Sequence, residues 1–255
     1  MKEELLELTR QLRRRVELGH ETDFRVGLSE AAVDRSPSAE TASARPTAVS
    51  PKDARLAALS ETVAACRACP LGAQRLKPVF GVGSADAEVL FVGEGPGFEE
   101  DHRGEPFVGK SGQLLDRILE SIGLSRASVY IANIVKCHPM KDPSDPEARA
   151  NDRPPTPEEV AACRGYLDQQ IVVIQPRVIV ALGSVPTRVL LGTAESITAI
   201  RGQWRQYTPA GADRPIPLLL TFHPAALLRD PDLKKDVWTD MKNLRAALAR
   251  SPENP

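Results

Sequence analysis

The fold is decided by residues 88–101, which read EVLFVGEGPGFEED. The apolar run at 89–92 has no polar interruption, as is typical of a strand buried on both faces of a sheet. Three glycines and four carboxylates follow it, within residues 93–101. Because ligands of parallel α/β sheets bind beyond the carboxyl ends of the strands, this stretch predicts both a strand and one wall of a binding site.

Three further apolar runs resemble the first, and helical patterns separate them. The predicted strands lie at 88–92, 129–135, 178–182 and 217–222, and the predicted helices at 53–65, 111–122, from the Thr156 cap to 174, after 183–184, and at 232–249. Glu159 stands at the capping-box position of the helix that Thr156 begins. Strands that alternate with helices indicate an α/β protein. We therefore predict a three-layer α/β/α fold with a central four-stranded parallel sheet.

The composition bounds the class of protein. The chain has 255 residues and a net charge of −1, from 33 basic and 34 acidic side chains. A surface that is basic all over is excluded, so binding of a polyanion would need a local patch. No apolar run approaches 18 residues and the first residues are charged. These features predict neither a membrane span nor a secretory signal, and we expect a cytoplasmic monomer.

The chain divides into three parts. Residues 1–52 combine an amphipathic helix pattern at 1–19 with a small, polar, proline-bearing linker. Residues 53–250 form the predicted main domain, and residues 251–255 form a tail. The first helix is either a loosely attached tail or a segment that binds a partner.

Four cysteines form a second candidate site. Cys66 and Cys69 make a C-x-x-C pair, Cys137 follows a predicted strand, and Cys163 lies in a predicted helix. In a chain without a secretory signal, this usage favours a metal site or catalysis over disulfides. Spacing leaves open zinc, an iron–sulfur cluster and unliganded buried thiols, although the missing second C-x-x-C favours a cluster over structural zinc. A redox pair is disfavoured because a helix precedes the motif.

Residues 104–111, GEPFVGKS, match the phosphate-binding pattern G-x-x-x-x-G-K-S in their letters alone. In that motif the loop joins a buried strand directly to a helix. Here the preceding strand ends about ten residues earlier. No second predicted strand ends in an aspartate suited to hold magnesium. The sequence therefore disfavours nucleotide hydrolysis.

The polar residues that follow the predicted strands are candidates for catalysis and for ligand binding. One of the carboxylates in 94–101 could act as a base or orient a water. Asn133 offers one acceptor and two donors, which suits an imide or amide edge, and His223 lies where a ligand at the sheet edge would bind. A structural hydrogen bond is the alternative for both. The stretch 227–229, Leu-Leu-Arg, fits either an apolar wedge beside a phosphate contact or the start of a packed helix.

Six segments together resemble the iron–sulfur uracil-DNA glycosylases, usually called family 4. They are Cys66-x-x-Cys69-Pro70-Leu71, GEGPGFEED at 93–101, GEPFVGKSGQLLD at 104–116, NIVKC at 133–137, Cys163, and HPAALLR at 223–229. They occur in the order found in that family and cover about residues 60–248. The agreement of six segments makes the resemblance specific.

The resemblance implies a cofactor and a base pocket. The four cysteines would hold a 4Fe–4S cluster with a structural role. Glu94, Gly95 and Gly97 would wall the uracil pocket, and Phe107 would stack on the uracil face. Asn133 would choose uracil over cytosine by its donors and acceptor.

The resemblance also implies how the bond breaks and how DNA is held. His223 would hydrogen-bond the uracil carbonyl O2, where negative charge develops. Leu227 would fill the space that the extruded nucleotide leaves in a duplex. We expect Lys110, Ser184 and Arg229 to contact phosphates, together with Lys136.

The residue that positions the attacking water does not follow directly from the resemblance. Related families carry an aspartate where this chain has Gly95. The candidates are Glu94, Glu100 and, third, Asp101. We expect Glu100 to orient the water and Glu94 to shape the pocket.

These features predict a monofunctional DNA glycosylase of base excision repair, associated with the nucleoid. It would flip uracil out of single- or double-stranded DNA and hydrolyse its N-glycosidic bond, leaving an abasic site. A close relative of the family traps its product through a basic, histidine-containing insertion, which residues 138–157 lack, so we expect ordinary turnover. The rival hypothesis is a catalytically weak iron–sulfur DNA-binding accessory of replication, attached by the N-terminal helix.

Overall fold

A computed structural model describes residues 50–250 of the chain. The predicted helix at 1–19, nearly all of the linker and the tail at 251–255 lie outside the described residues. Within 50–250, no helix is both long and apolar enough to cross a membrane.

Helices and strands alternate along the described chain. The helices are α1 (Pro51–Ala65), α2 (Leu71–Gln74), α3 (Phe98–Arg103), α4 (Lys110–Ser121), α5 (Pro157–Ile174), α6 (Ser184–Leu191), α7 (Ile197–Ile200), α8 (Pro224–Arg229) and α9 (Lys234–Leu248), with a 3-10 turn at Pro231–Leu233. The strands are β1 (Val82–Gly83), β2 (Val89–Gly93), β3 (Tyr130–Asn133), β4 (Val178–Leu182), β5 (Trp204–Tyr207) and β6 (Ile216–Thr221). The expected α/β class is confirmed.

The sheet has six strands in the order β1-β3-β2-β4-β6-β5, so the expected count of four is corrected. Strand β2 pairs in parallel with β3 and β4, and β4 pairs in parallel with β6. The two additional strands, β1 and β5, are antiparallel and lie at the edges, which makes the sheet mixed. Strand β1 has only two residues, and β5 exposes Trp204 and Gln206. Neither strand therefore shows the apolar run of a central strand.

The core follows from the composition of the central strands. Every residue of β2, β3 and β4 is buried. Because successive side chains of a strand point to opposite faces, both faces of these strands must be covered. Three long helices supply apolar side chains to the core: Leu114, Leu115 and Leu119 of α4, Leu167, Ile171 and Ile174 of α5, and Val237, Met241 and Leu244 of α9.

The predicted start of α5 is confirmed. The Thr156 hydroxyl accepts from the Glu159 amide at 3.3 Å, and the Glu159 carboxylate accepts from the Thr156 amide at 2.8 Å. The side chain of Arg153 donates to the same carboxylate at 2.7 Å. This reciprocal capping satisfies amides that have no partner inside the helix.

Strand order places one crevice at the centre of the sheet. From β2 the chain continues to β3 on one side and later to β4 on the other, which is the topological switch point where α/β sheets bind ligands. Gly93 pairs with Asn133 across the last rung of β2 and β3. The Gly183 amide donates to the Thr221 carbonyl at 2.8 Å, so the ends of β4 and β6 meet beside them. Residues that follow these four strand ends share one edge.

Candidate active site

A cleft of about 820 Å³ opens at this edge of the sheet. It gathers most of the predicted site residues, namely Glu94, Gly95, Gly97, Glu100, Phe107, Lys110, Asn133, Ser184, His223 and Arg229. Leu227 does not line it. The strand-end rule therefore brings together residues that are up to 135 positions apart in the sequence, from Glu94 to Arg229.

Gly93 sets how closely the walls of the cleft approach each other. A Cβ at this position would lie 2.4 Å from the Asn133 Oδ1 and 2.5 Å from the Phe107 Cζ. Both distances are far below van der Waals contact, so only glycine fits here. The sequence predicts Gly93 as one of three glycines that allow close approach to a ligand, but not this constraint, which comes from side chains that are distant in the chain.

Asn133 presents an unused acceptor to the cleft. Its side chain is buried, and its Oδ1 has no hydrogen-bond partner within the described residues. An orphan buried acceptor costs free energy, about 1–3 kcal/mol, unless a ligand supplies the donor. The Asn133 carbonyl is held separately, because the buried Lys136 Nζ donates to it at 2.8 Å.

Lys136 does not fit its predicted role as a phosphate contact. The side chain is fully buried, and its Nζ donates to Asn133 and to the Gln170 Oε1 at 2.6 Å. Burial lowers the pKa of Lys136 to about 8. The residue is an internal brace for the end of β3, and the sequence alone could not separate a buried lysine from a surface one.

Phe107 forms the apolar wall of the cleft beside His223. The two rings stack with centroids 5.4 Å apart and planes inclined by 29°. Phe107 has a φ of 54°, which is rare for a residue with an aromatic side chain. Its carbonyl accepts from the Arg126 Nη1 at 3.0 Å. No motif in the sequence pointed to Arg126.

Glu100 is occupied by backbone amides. Its Oε1 accepts from the amides of Val108 and Gly109 at 2.9 and 3.0 Å, and its Oε2 accepts from the Gly97 amide at 3.2 Å. This carboxylate ties the glycine-rich turn to the loop that carries Phe107. The predicted water-orienting role competes with these three hydrogen bonds.

Asp101, the third candidate carboxylate, is also committed to the scaffold. It is fully buried and accepts from the amides of Leu76 and Lys77 at 3.1 and 3.3 Å. The His138 Nδ1 lies 3.6 Å from its Oδ2, and the other ring nitrogen lies 2.7 Å from Asp152. Burial opposes the imidazolium, but the two carboxylates outweigh it and raise the pKa of His138 to about 9.

Glu94 is the carboxylate that remains available. It is half-buried and lines the cleft, and no hydrogen bond joins its side chain to another group within residues 50–250. Burial raises the pKa of Glu94, and the negative charge of Asp152 raises it further. A carboxylate in this setting is a stronger base than one in water.

His223 begins α8 and presents a single ring proton. Its Nδ1 accepts from the Ala225 amide at 3.1 Å, which caps the helix. The neutral ring must therefore carry its proton on Nε2. Burial lowers the pKa of His223 to about 4, and the charge of Arg229 adds to that shift. At neutral pH the side chain is an uncharged donor at the cleft.

Leu227, predicted to fill the gap in a duplex, does not line the cleft. Leu227 is 2% exposed and belongs to the core, whereas its neighbour Leu228 is 46% exposed. In a six-residue helix, one position decides which side chain faces the interior. The exposed apolar residue beside Arg229 is therefore Leu228.

Cations border the cleft despite the neutral net charge. Lys110 is exposed at the start of α4, Arg229 is exposed at the end of α8, and Ser184 begins α6. Arg103 and Arg149 also line the cleft, and neither was predicted. The Arg149 guanidinium lies 5.0 Å from the centroid of the Phe98 ring.

The four cysteines converge on a second, small cavity, which all of them line. Cys137 and Cys163 are buried, Cys66 and Cys69 are partly exposed, and none forms a disulfide. The Arg75 Nη1 donates to the Cys137 Sγ at 3.0 Å. Among the described residues, no group of three or more His, Cys, Asp or Glu side chains is placed to hold a single metal ion.

Comparisons with known proteins agree with this arrangement. Residues 80–242 match the sequence model of the uracil DNA glycosylase superfamily. The type-4 uracil-DNA glycosylase of Thermotoga maritima is 42% identical over 75% of this chain and 94% of its own length. The type-4 enzymes of Archaeoglobus fulgidus and Sulfurisphaera tokodaii are 40% and 39% identical over 71% and 76% of this chain, and 87% and 85% of their own lengths. The chain therefore belongs to the uracil DNA glycosylase superfamily and, within it, to the type-4 family.

Proposed function

We propose that the cleft excises uracil from DNA by hydrolysing the N-glycosidic bond, which leaves an abasic site for base excision repair. The observation that carries the proposal is the orphan Oδ1 of Asn133, which is buried in the same cleft as Phe107 and the neutral His223. A flipped uracil offers an N3–H donor to that acceptor. Cytosine has no hydrogen on N3, so it would leave the Asn133 acceptor unpaired.

Bond cleavage in this cleft depends on where the electrons go. The bonding pair leaves with the base, so negative charge grows on uracil and its O2 while the sugar becomes oxocarbenium-like. The Nε2–H of His223 donates to O2 and stabilises that charge as it develops. Because the ring is neutral at the outset, it supplies a dipole without transferring a proton.

We assign the attacking water to Glu94 and give Glu100 a positioning role, which reverses the expectation from the sequence. Glu100 already accepts three backbone amides, and Asp101 accepts two. Glu94 has free lone pairs and a pKa raised by burial. It therefore suits acceptance of a proton from water as that water adds to the sugar.

DNA binding would use the cleft rim. Leu228 replaces Leu227 as the residue that fills the gap left by the flipped nucleotide, since it is exposed beside Arg229. Lys110, Ser184 and Arg229 are the proposed phosphate contacts. A local rim of this kind reconciles DNA binding with a net charge of −1.

We further propose that the four cysteines hold a 4Fe–4S cluster. The donor set fits, since four thiols line one cavity and iron–sulfur clusters are held by cysteine thiolates. The Arg75 guanidinium lies against Cys137 and would compensate thiolate charge, and the backbone amide of Lys136 donates to the Cys163 Sγ at 3.3 Å. Bound there, the cluster would supply a structural cross-link between segments distant in sequence.

The cluster proposal is tested by colour and metal content. Purified under anaerobic conditions, the protein should be brown and contain about four irons per chain if one 4Fe–4S cluster is held by four thiolates. Cys137→Ser should lose iron, because a serine hydroxyl is a poor ligand for iron in place of a thiolate. A colourless protein with one bound zinc would overturn the assignment.

The decisive test of the activity is alkali cleavage of a uracil-containing oligonucleotide after incubation with the protein. Wild type should generate abasic sites, and His223→Ala should be slower by about 10²-fold or more. The matched control is an oligonucleotide with cytosine at the same position. Intact uracil after incubation with a protein that still binds DNA would favour the accessory role in replication.

The remaining expectations stand as proposals that rest on this activity. We propose that the protein acts as a monomer and is associated with the nucleoid of the cytoplasm, where its DNA substrate would lie. The amphipathic pattern at 1–19 suits a repair or replication partner. Deletion of residues 1–49 should leave uracil release intact. A deletion variant that loses both excision and DNA localisation would contradict a separate role for this segment.

A further inference from the structure

We propose that Arg126 is the residue that positions Phe107 against the base, although it touches no substrate. This inference rests on the proposed excision of uracil and deepens it. Arg126 lies between α4 and β3, and its side chain is about three-quarters buried. No sequence motif marks it, and its contacts all reach the segment 105–107 or α4.

The Arg126 guanidinium holds two consecutive carbonyls of the Phe107 loop. Its Nη1 donates to the Phe107 carbonyl at 3.0 Å, and its Nη2 donates to the Pro106 carbonyl at 2.5 Å. The same two nitrogens also donate to carboxylates, to Asp116 at 3.1 Å and to Glu105 at 3.1 Å. Four of the five N–H donors of the side chain are therefore used.

These hydrogen bonds hold the backbone of Phe107 in a conformation that is unfavourable for a residue with a side chain. The φ of Phe107 is 54°, a left-handed conformation that an aromatic residue adopts only when its surroundings impose it. A Cβ at Gly112 of α4 would lie 1.8 Å from the Phe107 carbonyl oxygen. That carbonyl is thus pressed against bare helix backbone on one side and bonded to Arg126 on the other.

The negative charge of Glu100 holds the peptide groups that follow Phe107. The Glu100 carboxylate accepts from the amides of Val108 and Gly109, which come directly after Phe107. A cation thus binds the carbonyls before and at Phe107, and an anion binds the amides after it. In this backbone conformation the ring lies beside Asn133 and against His223, with ring centroids 5.4 Å apart. Arg126 therefore acts on the base through Phe107.

Lysine should not replace this arginine. The planar guanidinium reaches two carbonyls and two carboxylates at once, whereas an ammonium offers three donors from a single point. In Arg126→Lys the ion pairs can persist, but the two carbonyls cannot both be bonded in the same geometry. The variant therefore separates loop positioning from simple charge.

The test combines Arg126 with Phe107 in a double-mutant cycle on a uracil oligonucleotide under single-turnover conditions. Arg126→Gln and Arg126→Lys should each slow uracil release by about 10- to 100-fold, as expected when a substrate-contacting group is misplaced. Added to Phe107→Ala, Arg126→Gln should slow the reaction no further, because its target ring is already gone. The matched control is Arg117→Gln, an exposed arginine on α4, which should keep the wild-type rate.

Product inhibition supplies a readout that a general loss of stability would not move. Inhibition by free uracil should weaken in Arg126→Gln by the same factor as in Phe107→Ala, while binding of abasic-site DNA stays unchanged. Equal losses of affinity for free uracil and for abasic DNA would overturn the proposal. So would a double variant whose rate falls by the product of the two single effects. If Arg126→Gln does not fold, Arg126→Lys decides on the same readouts. Wild-type protein that releases no uracil would instead overturn the proposed function, and this inference with it.

Discussion

In the proposed reaction, His223 acts as a neutral ring. The Ala225 amide occupies its Nδ1, and burial lowers its pKa to about 4. An imidazolium would hold the uracil anion more strongly, but it would also attract the phosphates of undamaged DNA. A neutral donor favours the transition state over the ground state, which is the difference that accelerates a reaction.

At Asn133, removal of the amide should abolish base selection. We expect Asn133→Leu to slow uracil release by about 10²-fold or more, since a side chain of similar volume can no longer pair with the base. Affinity for abasic DNA should persist, because the lost contact is to the base alone. Single-turnover cleavage and a gel-shift assay measure the two effects. Asn243→Leu on the exposed face of α9 is the control, and a loss below about tenfold at Asn133 would contradict the role.

At Glu94, the pH profile should show which carboxylate acts as the base. Burial raises the pKa of Glu94, so its basic form is lost at a higher pH than for an ordinary glutamate. The excision rate should therefore rise with pH through that raised pKa, and Glu94→Gln should be slow and lack this acid limb. His223 does not contribute to this acid side of the pH–rate profile, since it is neutral above about pH 4. Glu120→Gln is the control; an unchanged limb in Glu94→Gln would exclude this assignment.

Among the elements, the end of β6 is braced by α9 through a buried carboxylate. Asp240 is fully buried, accepts from the Thr221 hydroxyl at 2.7 Å, and forms a close ion pair with Arg201. Thr221 stands two residues before His223. The brace therefore fixes the strand end that His223 follows.

Loss of that brace should appear in stability. Asp240→Ala removes the buried carboxylate from Thr221 and leaves Arg201 only its contacts with Asp236. We expect the free energy of unfolding to fall by about 3–5 kcal/mol. Asp236→Ala is the matched control, since the Asp236 side chain is 47% exposed and a pair on the surface contributes about 0–1 kcal/mol. Urea denaturation of both variants measures the difference. Equal losses in the two variants would show that the buried contact has no special weight.

The sequence predicts those helices and strands whose burial produces a recognisable local pattern of apolar residues. The central strands appear as continuous apolar runs because both of their faces are covered. The edge strands β1 and β5 leave no such run, being short or half-exposed. In the site, Asn133 and His223 follow from the strand-end rule. Arg126 and the role of Glu100 do not, because their contacts cross the chain, and the inward face of α8 depends on tertiary packing.

For the whole molecule, the balanced charge means that the proposed DNA contacts must come from a local patch, which we assign to the cleft rim. Arg229→Gln should weaken affinity similarly for all sequences and reduce the salt dependence by about one released counterion. Leu228→Ala should slow excision from duplex more than from single strands, because only a duplex has a gap to fill. Leu76→Ala, 43% exposed and outside the cleft, is the control. Equal rates on both substrates for Leu228→Ala would exclude the wedge.

The missing Cβ of Gly93 also limits how this protein can evolve. Every single-nucleotide missense change in a glycine codon introduces a residue with a Cβ, and any Cβ here collides with Asn133 and Phe107. Genetic drift at this position therefore has no neutral step available. In a library of all single substitutions selected for low mutation rate, we expect glycine alone to be recovered at position 93.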